Sequence, residues 1–356
     1  MLDRTNLSRI PSTPYLIDKQ NILAQIKEHN PKTILLQLPE GLKPYTEKIV
    51  KLLKLDRYKL LIHAEPCYGA CDIPLCDAAR ASVDLILHIG HTPMIPNRFL
   101  TTPTIYGHVQ ISSTPEILLN IFSLLKSEEK KMGVEKLSLG LTTTAQHLHL
   151  LEPVKKILEE KGFEVHTGKP GWPLAYPGQV LGCNYTAAKN VSDRVHLFLH
   201  LSSGVFHAVG VHLATGKPVL ALNPRTGETL KAHETAKKFL KQRYASIAKS
   251  MDAKNFGIVI GSRVGQHRAK KAEEVMRLLG KHGKNFYSFL LREITPEALL
   301  PYKFIDAFII LACPRIAVDD TPRYEKPLLT PIDLEILLNE RPWERYELDE
   351  ILPGDY

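Results

Sequence analysis

Thr33-Ile34-Leu35-Leu36-Gln37-Leu38 is an apolar strand that runs into the loop Pro39-Glu40-Gly41. The same arrangement recurs as Lys136-Leu137-Ser138-Leu139-Gly140-Leu141 before Thr142-Thr143-Thr144-Ala145-Gln146, and as Phe256-Gly257-Ile258-Val259-Ile260 before Gly261-Ser262-Arg263-Val264-Gly265-Gln266. Each loop opens an amphipathic helix. The apolar stripes are Tyr45, Ile49, Leu52 and Leu53; then Val154, Ile157 and Leu158; then Ala272, Val275, Met276 and Leu279. Spacings of three and four put each stripe on one helix face. Gly162 and Gly283 stand where helix stops belong.

The later parts repeat as well. A second strand reads 58–62, 163–165 and 286–290. A third reads 83–88, 195–200 and 305–310, and a proline (Pro103, Pro218, Pro327) then opens a short apolar segment. Apolar strands alternating with helices imply parallel sheets covered on both faces. The expected fold class is therefore α/β: three similar small domains with parallel sheets around an approximate threefold axis. The domains are expected over residues 1–130, 131–250 and 251–356. One large doubly wound domain is the other topology that this pattern allows.

Composition narrows the class. The chain is 44% hydrophobic over 356 residues, enough for several cores. Met1-Leu2-Asp3-Arg4 starts no apolar signal core, and no apolar run nears the roughly 18 residues of a membrane span. A cytoplasmic protein is expected. The formal charge of +8 suits an acidic partner, but no Lys/Arg run is interleaved with aromatics, so direct nucleic-acid binding is not expected.

Five cysteines carry the chemistry: Cys67, Cys71 and Cys76 in one loop, Cys183 in the second repeat, and Cys313 in the third. So few and so widely spaced, they argue against a disulfide framework. All fall near the C-terminal ends of strands, where open α/β sheets bind ligands. Two arrangements suit a 4Fe-4S cluster with one open iron. Cys67, Cys71 and Cys76 form a local triplet, although their spacing departs from the ferredoxin pattern. Alternatively Cys71, Cys183 and Cys313 meet at a centre that only the tertiary fold assembles. The pattern alone does not choose between them.

The loops after the first strands offer backbone N–H groups at helix N-termini, suited to a carboxylate. Candidate cofactor-binding residues are Gln37, Glu40 and Gly41; Thr143 and Gln146; Gly261, Ser262 and Gln266; and Arg315 beside Cys313. Arg315 is expected to pair either with that carboxylate or with a neighbouring acid. His88, His91, His200 and His207 follow third strands and read as ordinary polar residues at strand ends. No stretch has the lysine and hydroxyl of a phosphate-binding P-loop.

Taken together, Tyr68-Gly69-Ala70-Cys71-Asp72, Leu181-Gly182-Cys183-Asn184 and Ala312-Cys313-Pro314-Arg315 resemble the radical enzymes of the first step of diphthamide biosynthesis. So do Leu38-Pro39-Glu40-Gly41-Leu42, Thr143-Thr144-Ala145-Gln146-His147, Gly204-Val205-Phe206-His207 and Val264-Gly265-Gln266. Cysteines in all three positions of one chain resemble the archaeal form, which implies a homodimer. The resemblance implies that Cys71, Cys183 and Cys313 hold a 4Fe-4S cluster and act through it, with Cys67 and Cys76 as bystanders. It further implies S-adenosylmethionine as cofactor, cleaved between sulfur and the γ-carbon. The 3-amino-3-carboxypropyl group then goes to the imidazole C2 of a histidine in translation elongation factor 2. An electron donor is implied, and the chemistry would rest on the cofactors.

Two other readings fit the same residues. A quinolinate-synthase-like dehydratase also gathers three cysteines from three similar domains, without S-adenosylmethionine. A basic RNA- or ribosome-associated protein with a structural metal needs no catalysis at all.

Overall fold

Three parallel sheets with one strand order, second–first–third–fourth, build the protein in this computed structural model, which describes residues 7–112 and 119–355. The first sheet runs Lys59–His63, Thr33–Gln37, Leu85–Ile89, Thr104–Gly107. The second runs Glu164–His166, Ser138–Thr143, Leu197–Leu201, Val219–Leu222, with Thr229–Lys231 added antiparallel at its edge. The third runs Asn285–Leu291, Asn255–Gly261, Ala307–Leu311, Leu328–Leu329. The expected threefold repetition is therefore present, and each strand lies within a few residues of its expected place.

The continuous apolar runs have a direct cause. The central strands Thr33–Gln37, Leu85–Ile89, Ser138–Thr143, Leu197–Leu201 and Ala307–Leu311 are buried at every residue. They are covered on both faces, so neither face calls for polar residues. The helices Thr46–Leu53, Leu151–Glu160 and Ala269–Lys281 bury the stripes read from the sequence: Ile49 and Leu53, Val154 and Leu158, Ala272, Val275 and Leu279. Truncating one such leucine to alanine costs about 2–5 kcal/mol. Gly162 and Gly283 have φ of 89° and 63°, the left-handed region that ends a helix.

Strand register brings polar residues to the C-terminal ends. Gln37 lies opposite His88, and Thr142 opposite His200. In the third repeat the corresponding pair is Ile260 and Leu311. The first two repeats thus carry polar pairs where the third is apolar.

Two features escape the repeat. Ser8–Arg9, Tyr15–Ile17 and Val109–Ile111 form a small antiparallel sheet. The C-terminal tail returns to its own chain. Arg268, only 1% exposed, bonds Asp349 at 2.5 Å and Asp355 at 2.9 Å. Nearby the Ile351 N–H donates to the Cys183 carbonyl at 2.8 Å, and the Tyr185 N–H donates to Glu350 at 2.6 Å. The tail therefore clamps the Cys183 loop to the third repeat. A second buried ion pair, Arg243–Asp333 at 2.5 Å, joins the helix Ala232–Lys249 to the third repeat. No helix among the described residues is long and apolar enough to cross a membrane.

Candidate metal centre

Each of the three expected ligand cysteines sits on a loop fastened to a strand end. Gln37, at the end of the first strand, donates its amide to the Asp72 carbonyl at 2.7 Å and so holds the Cys71 loop. In the second repeat Gln179 bridges Thr143, and Leu181 bridges Asn184 around Cys183. In the third, Cys313 caps the helix Pro314–Asp319, whose first residue is a proline. Proline at that position needs no backbone donor, so the turn after the strand is short.

Contacts between repeats then bring these loops together. The Gly265 N–H donates to the Cys71 carbonyl at 2.9 Å, and the Gln266 amide donates to Cys71 Sγ at 3.3 Å. Arg263 Nε lies 2.9 Å from Asp72 Oδ2, both nearly buried, while its guanidinium stacks over Tyr68 at 4.9 Å. On the other side Gly182 approaches Arg315, the second neighbour of Cys313; a Cβ added there would stand 3.1 Å from Arg315 Cδ.

The thiols of Cys71 and Cys183 both feel the neighbouring Cys313. Burial pushes Cys71 up to about 12, and the neighbouring Cys313 adds to the rise. Burial, then Cys313 and Cys71, push Cys183 well above the ordinary thiol range. Burial raises Cys313 also. Three thiolates in this setting need a compensating cation. Three thiolates from three repeats suit an iron–sulfur cluster with one open iron, and the Gln266 N–H···S bond is of the kind that tunes such clusters. All five cysteines are free.

A cavity of about 410 Å³ opens beside this centre. All three repeats line it: Gly41 and His91 from the first, Gln146 and His207 from the second, and Arg315 from the third. Arg315 lies over the Phe206 ring at 4.4 Å and pairs with Asp319 at 2.6 Å. The neighbouring acid expected from the sequence is thus its partner here.

The other candidates divide. Gln37 and Thr143 are fully buried; Gln37 bonds Asp72 and His88, and Thr143 bonds the Leu201 carbonyl, so neither faces the cavity. Their polar groups are satisfied inside the strand ends. Glu40 is exposed and pairs with Lys43 at 2.6 Å. Gln266 serves Cys71. Ser262 lines a different, more apolar depression beside Cys76, and Gly261 packs against Ala312. Sequence reading missed the Asp72–Arg263 pair and placed no role on Phe206. A buried acid next to Cys71 was the available signal. It also took His88 and His91 as ordinary strand-end residues, whereas the structure gathers both with Cys67.

Comparison with known proteins matches residues 38–347 to the family described as "Putative diphthamide synthesis protein". The chain is 38% identical to the 2-(3-amino-3-carboxypropyl)histidine synthase of Pyrococcus horikoshii, covering 95% of this chain and 94% of the relative. It is 27% identical to the synthase of the same name from Methanocaldococcus jannaschii, covering 98% and 97%. It is 26% identical to subunit 1 of the Homo sapiens synthase, covering 96% of this chain and 76% of the relative. A crystal structure of Dph2 from Pyrococcus horikoshii with a 4Fe-4S cluster superposes with a TM-score of 0.84 at 36% identity, covering 98% and 96% of the two chains.

Proposed function

The chain belongs to the diphthamide synthesis protein family, and from that premise we propose that it is a 2-(3-amino-3-carboxypropyl)histidine synthase whose iron–sulfur cluster is held by Cys71, Cys183 and Cys313. It is a transferase of diphthamide biosynthesis. The observation that supports the ligand assignment is that three free thiols from three repeats lie close together, with Cys313 near enough to act on both Cys71 and Cys183. The local triplet has less support, because Cys67 points into a group with His88 and His91 and Cys76 is exposed.

When bound and reduced, a three-cysteine 4Fe-4S cluster supplies an open iron and one electron, which suit cleavage of S-adenosylmethionine between sulfur and the γ-carbon. The chain's own residues set the rest. Arg315 stands at the cavity wall beside Cys313, and its guanidinium suits the methionine carboxylate of the cofactor. Gln146 offers an amide to the same space. The Phe206 ring lies against the Arg315 guanidinium, which stays half-exposed to the open space. The cavity's volume fits a small cofactor with one imidazole admitted at its mouth. The acceptor proposed is the histidine of translation elongation factor 2, approached from the open side.

We place the protein in the cytoplasm, with an electron donor and a homodimeric assembly. The edge strand Asn285–Leu291 supports the dimer: among the described residues it has no strand partner on its outer side, and it exposes Tyr287 and Leu290, the latter 66%. Sedimentation would report a dimer that Leu290→Lys dissociates. The test of the reaction is anaerobic: reconstitute with iron and sulfide, reduce, add S-adenosylmethionine, and identify the adenosine product by mass spectrometry. Methylthioadenosine is expected. 5′-Deoxyadenosine alone, or an intact cluster with no cleavage, overturns the proposed reaction.

A further inference from the structure

Cys67 lies beside His88, in the first repeat's third strand, and His91, just after it. The ligand atoms of Cys67, His88 and His91 all lie within 4.8 Å of one another. Cys67 is 4% exposed and His88 is fully buried. Thiol and imidazole are the donor types that select zinc-class ions.

The hydrogen bonds set the tautomers. Gln37 Nε2 donates to the Asp72 carbonyl at 2.7 Å, and a carbonyl only accepts. Gln37 Oε1 must therefore face His88, where it lies 2.7 Å from Nδ1. Oε1 only accepts, so His88 Nδ1 carries the proton and Nε2 presents a lone pair. An imidazole whose other nitrogen is fixed by an amide oxygen is the usual support of a metal-binding histidine. His88 Nε2 lies 2.9 Å from His91 Nδ1. Two nitrogens on one tetrahedral ion, each about 2.0–2.1 Å from it, stand about 3.3 Å apart. The imidazoles need to separate by only about 0.4 Å to admit an ion.

We propose that Cys67, His88 and His91 form a second metal site, for a single zinc-class ion, distinct from the three-cysteine centre. Binding exchanges one proton for the ion: the Cys67 S–H proton leaves to solvent, while both imidazoles bind neutral. Three protein donors leave a fourth position open, as in catalytic rather than structural zinc sites. His91 also lines the 410 Å³ cavity, the space that Gln146 and Arg315 share. The site needs no part of the transferase reading and is tested apart from it.

The test uses the full chain with Cys71, Cys183 and Cys313 replaced by alanine, stripped of metal and titrated anaerobically with Co²⁺. One Co²⁺ per chain is expected, with sulfur-to-cobalt absorption in the near ultraviolet and about one proton released. Adding Cys67→Ala should abolish that absorption. Adding Gln37→Leu should retain it with affinity about 10–100-fold weaker. Absence of the band in a folded cluster-free chain, or its survival in Cys67→Ala, overturns the site. Should the triple variant not fold, zinc and iron are counted in the original chain and in Cys67→Ala. Loss of one zinc per chain with unchanged iron supports the site, and equal zinc in both overturns it.

Discussion

Gly265→Ala tests whether the first and third repeats must touch for the centre to form. A Cβ placed on Gly265 falls 2.6 Å from Cys71 Cα, 2.8 Å from Cys71 Cβ and 2.6 Å from Ile95 Cδ1. Ordinary carbon–carbon contact is about 3.5–4.0 Å, so roughly 1 Å must open. Ile95 can move its end, but Cys71 Cα is backbone. It is also held by the 2.9 Å bond from the Gly265 N–H to the Cys71 carbonyl. The strain therefore moves the Cys71 loop away from Gln266 and the third repeat. Overpacking of this kind costs about 1–3 kcal/mol. The assay is paired: denaturant unfolding of the metal-free chain, and iron and sulfide per chain after anaerobic reconstitution. A folded protein with stability lowered by about that amount and a reduced cluster content is expected. Gly280→Ala is the control, since nothing lies within 4 Å of its Cβ and it sits in a helix. That change should stabilise by about 0.4–1 kcal/mol and leave the cluster intact. Gly265→Ala with unaltered stability and full cluster content would refute the packing argument.

Other outcomes follow from the same contacts. Arg268→Met strands Asp349 and Asp355 in a buried setting, and breaking such a pair costs about 3–5 kcal/mol in a urea melt. It should also loosen the Cys183 loop, seen as faster iron loss to a chelator. Gln266→Leu removes the N–H···S bond to Cys71 and should lower the cluster's reduction potential without changing iron content, measured by redox titration. Burial lowers His108 and His147 to about 4, so the folded chain favours their neutral forms. Their contribution to stability is full above about pH 6.5 and is lost as pH falls toward 4, and thermal melts across that window should show the decline.

The fold was legible because its central strands are buried on both faces. Leu35, Leu87, Leu199 and Ile309 sit in runs with almost no polar interruption, and such runs announce strands without needing an alternating pattern. The antiparallel ribbon at Tyr15–Ile17 and Val109–Ile111 was not legible, because strands this short carry no period. The cysteine positions could be read only relative to the repeat, so Cys183 and Cys313 gained meaning from their strands and not from their neighbours. Interactions between repeats left little trace. Arg263 with Asp72, and Arg268 with the tail acids, join residues far apart in the chain, and nothing in local spacing pairs them. A polar residue at a strand end, such as Gln37 or Thr143, looks the same in sequence whether it faces a ligand or its neighbouring strand.

The most direct test of the three-cysteine centre is the iron and sulfide content, with the visible and electron paramagnetic resonance spectra, of reconstituted Cys183→Ala beside Cys76→Ala. The account predicts that Cys183→Ala loses the 4Fe-4S signature while Cys76→Ala keeps it in full. A complete cluster in Cys183→Ala, with loss in Cys76→Ala, would place the cluster in the local loop and contradict the assembled centre.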